Sequence, residues 1–93
     1  MTPRDPGYLA YVRTFPCVSC GKDGAEAHHA GRKYMGLKPS DYTAIPLCHD
    51  CHMELHSEGH ATFYDAYGIN LYEVIASLLH TFVSGEPLEM PNR

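Results

Sequence analysis

The chain has 93 residues, 44% of them hydrophobic and 19% charged, with a formal net charge of −4 at pH 7. That length supports one small domain burying only about 60–65% of its unfolded surface, so a staple such as a structural metal is expected. No apolar run approaches the ~18 residues of a membrane span, and no secretory signal core is present, which argues against a membrane partner and for an intracellular, cytoplasmic setting. The acidic total weighs against a nucleic-acid binder, but the charge is unevenly spread. Residues 1–40 hold six basic against three acidic side chains, and residues 41–93 hold one against eight.

In chain order, Met1 to Asp5 reads as loose. Asp5-Pro6 reads as a helix N-cap followed by Pro at the first helical position. A short helix is predicted to about Thr14, burying Tyr8, Leu9 and Val12 on one face. Phe15-Pro16 stops it and delivers the chain to Cys17-Val18-Ser19-Cys20. Gly21 suits the tight turn of a zinc knuckle, whose backbone amides point back at the thiolates. Ala25–His29 reads as a strand. Ala30–Tyr42 reads as a loop, with Gly31, Gly36, Pro39 and Ser40 beside Arg32, Lys33 and Lys38. Thr43–Leu47 reads as a second strand, which Pro46 confines to an edge or an end. A helix is predicted over His49–Glu58, ended by Gly59. Another spans about His60–Tyr67 and stops at Gly68. The last opens at Asn70 with Glu73 three on, a variant of the capping box. Leu71, Val74, Ile75, Leu78, Leu79 and Phe82 recur there at the spacing of a core-facing stripe. The reading is one domain over residues 1–84 and a disordered tail over 85–93.

Cys17, Cys20, Cys48 and Cys51 form C-x2-C, 27 intervening residues, and C-x2-C. In a reducing compartment this pattern favours a tetrahedral structural zinc over disulfides. The zinc would clamp the approach to the first strand onto the helix after the second. His49 and His52 are alternative ligands, but four cysteines already complete the set. His52 and His56 are i, i+4 on the predicted helix, so both imidazoles reach one cation. His28 and His29 are adjacent on the predicted strand and point to opposite faces, so one completes a metal site while the other faces substrate. Three histidines leave open positions on an ion, as catalytic sites do. A fourth, unligated, is a proton acceptor near neutral pH. His60 sits behind Gly59 and reads as a helix-start or surface residue, and His80 as structural. Tyr34 and Tyr42 flank the basic loop.

The ordering Cys17-x-x-Cys20, Ala27-His28-His29, Ile45-Pro46-Leu47-Cys48-x-x-Cys51-His52 and His56 resembles the HNH endonucleases. More narrowly, "YLAYVRTFPCVSCG" and "HHAGRKYMGLKPSDYTAIPLCHDCHMELH" look like small phage and prophage HNH proteins, among them the RecA-dependent nucleases linked to recombination. The resemblance covers about residues 8–83. It implies an α+β fold: a small ββα-metal (His-Me finger) core with a four-cysteine zinc knuckle, an N-terminal helix and two C-terminal helices. It implies His28, His52 and His56 on a catalytic divalent ion (Mn2+, Ni2+, Zn2+ or Mg2+), His29 as general base, and structural Zn2+ on the cysteines. The substrate implied is DNA, cut to a 5′-phosphate and a 3′-hydroxyl. Arg32, Lys33 and Lys38 become candidate phosphate contacts, and a recombinase or other DNA-repair protein a candidate partner. The family often has an Asn nine positions before the first helix histidine. Thr43 stands there in this chain, with Asp41 nearby, so either residue or the backbone alone would orient the base. Two other readings compete: a non-catalytic zinc-binding DNA or protein adaptor, and a metal-dependent hydrolase of another substrate. The second has little room for a deep pocket.

Overall fold

A computed structural model describes residues 4–31 and 39–85 of the chain. Within them the elements run α1 (Pro6–Val12), β1 (Glu26–His29), a 3-10 turn (Asp41–Thr43), β2 (Ala44–Leu47), α2 (His49–Glu58), α3 (His60–Ala66) and α4 (Leu71–Ser84). This is a small α+β arrangement of a two-stranded sheet, four helices and a four-cysteine cluster. Arg32, Lys33, Tyr34 and Lys38 lie outside the described residues, as does the tail from Glu86.

The caps form where their side chains specify them. Asp5 accepts from the Tyr8 amide at 3.0 Å and Pro6 follows it, so α1 starts as expected. The helix ends at Val12 rather than near Thr14. The Thr14 and Phe15 amides bond back three residues, to Tyr11 and Val12, tightening the chain ahead of Pro16. Gly59, with φ 94°, ends α2 through a 2.8 Å bond to the Leu55 carbonyl and opens α3. Asn70 accepts from the Glu73 amide at the head of α4.

β1 and β2 pair antiparallel, with Ala27 opposite Pro46, His28 opposite Ile45 and His29 opposite Ala44. A two-stranded sheet leaves each strand an open edge, so the missing amide of Pro46 breaks no essential bond. Its carbonyl instead accepts from the Val18 amide at 3.0 Å, stitching the first cysteine turn to β2. Thr43, expected at the start of the strand, belongs to the 3-10 turn, which Ser40 caps by accepting from the Tyr42 amide.

Tyr8, Val12, Ile45, Leu47, Leu55, Phe63, Val74 and Leu78 form a fully buried core between the sheet and the helices. The stripe on α4 is narrower than its periodicity implies: Val74, Leu78 and Thr81 are buried, while Phe82 is 38% exposed. Thr81 is admitted because its hydroxyl lies 2.6 Å from that of Tyr11. Phe82 still packs edge-on to Tyr8, with ring centroids 5.0 Å apart. Among the described residues no helix is long and apolar enough to cross a membrane.

Candidate functional site

The four cysteine sulfurs converge, all within 4.8 Å of one another. Cys17 and Cys20 sit on the turn before β1, with Gly21 at φ 80° donating to the Cys17 carbonyl at 2.8 Å. Cys48 is the N-cap of α2 and Cys51 lies in its first turn. The Cys20 and Cys48 sulfurs are 3.7 Å apart, far beyond a bond and close to the roughly 3.8 Å edge of a tetrahedron with 2.3 Å Zn–S bonds. Burial pushes the Cys17 thiol up, yet the Ser19 hydroxyl and the amides of Cys48, Cys20 and Ser19 bring it down to about 6. Donors are therefore already aimed at a thiolate. Burial raises the Cys51 thiol strongly, a shift that a bound cation reverses. The donor set and its spacing fit a structural metal such as zinc.

A second cluster gathers His28, His52 and His56. His28 Nδ1 lies 3.1 Å from His52 Nε2, and the rings of His52 and His56 are 4.8 Å apart. Two nitrogens on one tetrahedral ion at ~2.1 Å stand about 3.4 Å apart, so the pair is spaced for a shared cation as well as for a hydrogen bond. Glu26 holds this arrangement. Its carboxylate lies 2.8 Å from His52 Nδ1 and 3.2 Å from His49 Nδ1, and both bonds lower its own pKa. His52 thus carries its proton on Nδ1 and presents the Nε2 lone pair to the cluster. Burial, followed by the charges of His52, His60, His56 and His29, lowers the pKa of His28 to about 4. It is neutral at pH 7, the state that binds metal. Its Nδ1 faces the cluster, while its Nε2 is buried with no hydrogen-bond partner among the described residues, at a cost of roughly 1–3 kcal/mol that a cation on Nδ1 does not remove.

His29, the next residue, is held differently. Its Nε2 lies 2.7 Å from Oδ1 of Asp41, which is 3% exposed. Burial works to raise the Asp41 pKa, but the Asp5 amide, His29 and Arg4 together bring it down to about 2. Asp41 is a carboxylate, so His29 donates to it from Nε2, which turns Nδ1 away from Asp41. The His29 side chain is 33% exposed, within reach of water. The Thr43 hydroxyl is engaged by backbone groups. It accepts from the Gly31 amide at 3.1 Å and donates to the Ser40 carbonyl at 2.7 Å, closing the backbone between β1 and β2. Of the two residues considered for orienting His29, Asp41 contacts the ring and Thr43 fixes the chain beside it.

Both histidine arrangements open on one cleft of about 1020 Å³, lined by His28, His29, His52, His56, His60 and Tyr64 with small residues between them. His60 begins α3 and is exposed, as expected. Its ring stacks on His28, with centroids 5.6 Å apart, and it forms part of the cleft wall. Sequence reasoning missed Glu26, whose signal was present: it lies two positions before His28 on a strand and so shares its face. It also missed Arg4 and Asp5, which approach Asp41 from more than thirty-five residues away and leave no local trace.

The chain matches the model of the family described as "Protein of unknown function (DUF968)" over residues 2–85, and it belongs to that family. It is 40% identical over 67 residues to the uncharacterized protein YdfU of Escherichia coli strain K12, covering 69% of this chain and 19% of that protein. The chain therefore spans about a fifth of the length of this relative. No solved structure matches it.

Proposed function

We propose that this DUF968 chain is a metal-dependent DNA endonuclease of the HNH type, built on a ββα-metal core formed by β1, β2 and α2. The observation that carries this reading is the division of labour between adjacent residues. His28 enters a cluster of three imidazoles, while His29 is turned by its Nε2 to a buried, ionised Asp41, with Nδ1 on the opposite side of the ring. A proton acceptor fixed beside a divalent-ion site is what hydrolysis of a phosphodiester requires.

In this reading His29 Nδ1 takes the proton of the water that attacks phosphorus, and Asp41 stabilises the imidazolium that forms. The new P–O bond forms as the bond to the 3′ oxygen breaks, giving a 5′-phosphate and a 3′-hydroxyl. His28, His52 and His56 would hold the divalent ion, which supplies charge stabilisation at the phosphate oxygens when bound. Glu26 keeps His52 in the ligating tautomer, and a structural zinc, when bound by the four cysteines, would tie the first turn of α2 to the turn before β1. A phage- or prophage-derived protein acting in the bacterial cytoplasm, with a recombinase or repair partner, fits this activity.

The test is nicking of supercoiled plasmid with added divalent ions and a chelator control. General-base assistance contributes roughly 10²–10⁴-fold, so His29→Ala is expected to lose that much rate while retaining Mn2+ binding. His56→Ala is expected to lose the ion itself. Three imidazoles suit Mn2+, Ni2+ or Zn2+ better than Mg2+. Absence of nicking with any ion would overturn the reading. Equal loss of metal in both variants would overturn the division of roles, and activity with Mg2+ alone the ligand set.

A further inference from the structure

We propose that Arg4, with the backbone amide of Asp5, forms a strap that positions His29 through Asp41. Arg4 is then a positioning residue for cleavage. The inference rests on reading His29 as the proton acceptor.

The Asp41 carboxylate is held on both oxygens. Oδ1 accepts from His29 Nε2 at 2.7 Å and from Arg4 Nη1 at 3.0 Å, and Oδ2 accepts from the Asp5 amide at 2.6 Å. A carboxylate held by His29 alone would rotate with the ring. With donors on both oxygens its plane is fixed, and so is the direction of the His29 ring. Arg4 Nη1 also donates to the Pro39 carbonyl at 2.8 Å, tying the strap to the chain that leads into Asp41.

The strap is anchored in turn by α1. The Asp5 side chain caps the helix through the Tyr8 amide and accepts from the Tyr42 hydroxyl at 2.7 Å, so its own charge is satisfied without drawing on Asp41. Tyr8 is fully buried and packs on the Tyr42 ring, with centroids 5.2 Å apart. The docking of α1 is thereby transmitted to His29 through two residues that precede the helix. The Arg4 side chain is 43% exposed and that of Asp41 5%, so the pair is half-buried and its loss carries a stability cost that the thermal melt reads. Removal of Arg4 leaves His29 on Oδ1 and the Asp5 amide on Oδ2, but takes away the second donor on Oδ1 and the tie to Pro39, so the carboxylate is expected to be held less firmly.

The experiment uses the zinc-loaded full chain. Nitrogen-15 spectra of the histidines report which nitrogen of His29 carries the proton, independently of any cleavage. Plasmid nicking with Mn2+ gives kcat and KM, and a thermal melt controls for folding. Wild type is expected to hold the Nε2–H tautomer. Arg4→Ala is expected to show a tautomer mixture and a kcat lower by about 10- to 100-fold, with KM and Mn2+ affinity within about twofold of wild type. Arg4→Lys, which restores the charge and one donor, is expected to recover most of kcat. Unchanged tautomer and kcat in Arg4→Ala would overturn the strap. A loss carried mainly by KM would also overturn it, showing Arg4 to be a DNA contact. Should wild type cut no DNA while Arg4→Ala still shifts the His29 tautomer, the strap stands and the nuclease reading falls.

Discussion

Two carboxylates each hold one histidine by its proton and free the opposite nitrogen for work. Asp41 does this for His29 and Glu26 for His52, and the environments suit the tasks. Asp41 is buried and ionised down to about pH 2, which suits the balancing of an imidazolium charge on His29 that the proposed nuclease reading calls for. Glu26 is 45% exposed in its side chain and shared with His49, so its effect is mainly orientation. Removing the charge of a carboxylate behind a ligating imidazole costs about 10- to 100-fold in metal affinity. Glu26→Gln is therefore expected to weaken Mn2+ binding by that factor in zinc-loaded protein, read by the electron paramagnetic resonance of free Mn2+. His49→Ala, which removes the other partner of Glu26 and no ligand, is expected to leave the affinity within about threefold. Equal weakening in both variants would assign Glu26 to the packing of the α2 N-terminus instead.

Between elements, the four-cysteine cluster, fit for a structural metal such as zinc, adds a tie to the core that β2 shares with the helices. Strands of four residues in a two-stranded sheet are marginal alone. The cysteines tie the turn before β1 to the first turn of α2, and the bond from Val18 to Pro46 crosses the same gap. Structural zinc contributes about 10–16 kcal/mol of apparent binding energy in small domains, more than such a unit has to spare. Stripping zinc with a strong chelator, or Cys51→Ser, is expected to abolish cooperative melting and remove the Mn2+ site with it. A chelated protein that melts as before would separate the cluster from folding. This clamp was legible in the sequence because ligand spacing and cap chemistry are local: C-x2-C, Asp5, Gly59 and Asn70 each act within a few residues. The 3-10 turn at Asp41–Thr43 was not, because it is held through Asp41 by Arg4 and Asp5 and through Thr43 by Gly31. Thr81 joined the core for a similar reason, since only the fold supplies the Tyr11 hydroxyl that satisfies it. His60 starts α3 and is exposed, as the sequence indicates, and what the sequence does not show is that the fold returns its ring to His28 across the break at Gly59.

At the scale of the molecule, a chain proposed to bind DNA carries little positive charge where it is described. Three basic residues face nine acidic ones over residues 4–31 and 39–85. Arg4 is committed to Asp41, and Lys22 lies 3.5 Å from Asp50. Three further basic residues, Arg32, Lys33 and Lys38, fall in the segment between Gly31 and Pro39, both of which line the histidine cleft. On the proposed reading these side chains are candidate phosphate contacts, and each phosphate neutralised releases counterions. Replacing all three by Ala is expected to weaken DNA binding at low salt. It should also flatten the plot of log affinity against log salt by about 0.9 for every phosphate that these side chains neutralise. Sequence preference should not change, because phosphate contacts carry no base information. Lys22→Ala, the removal of a cation already paired with Asp50, is expected to leave the slope where it was. The measurement is a filter-binding titration from low to moderate salt on a fixed duplex, with His29→Ala in the background to prevent turnover. An unchanged slope in the triple variant would mean that this acidic molecule does not hold DNA by its own cations. A basic partner protein would then have to bring the strand to the cleft.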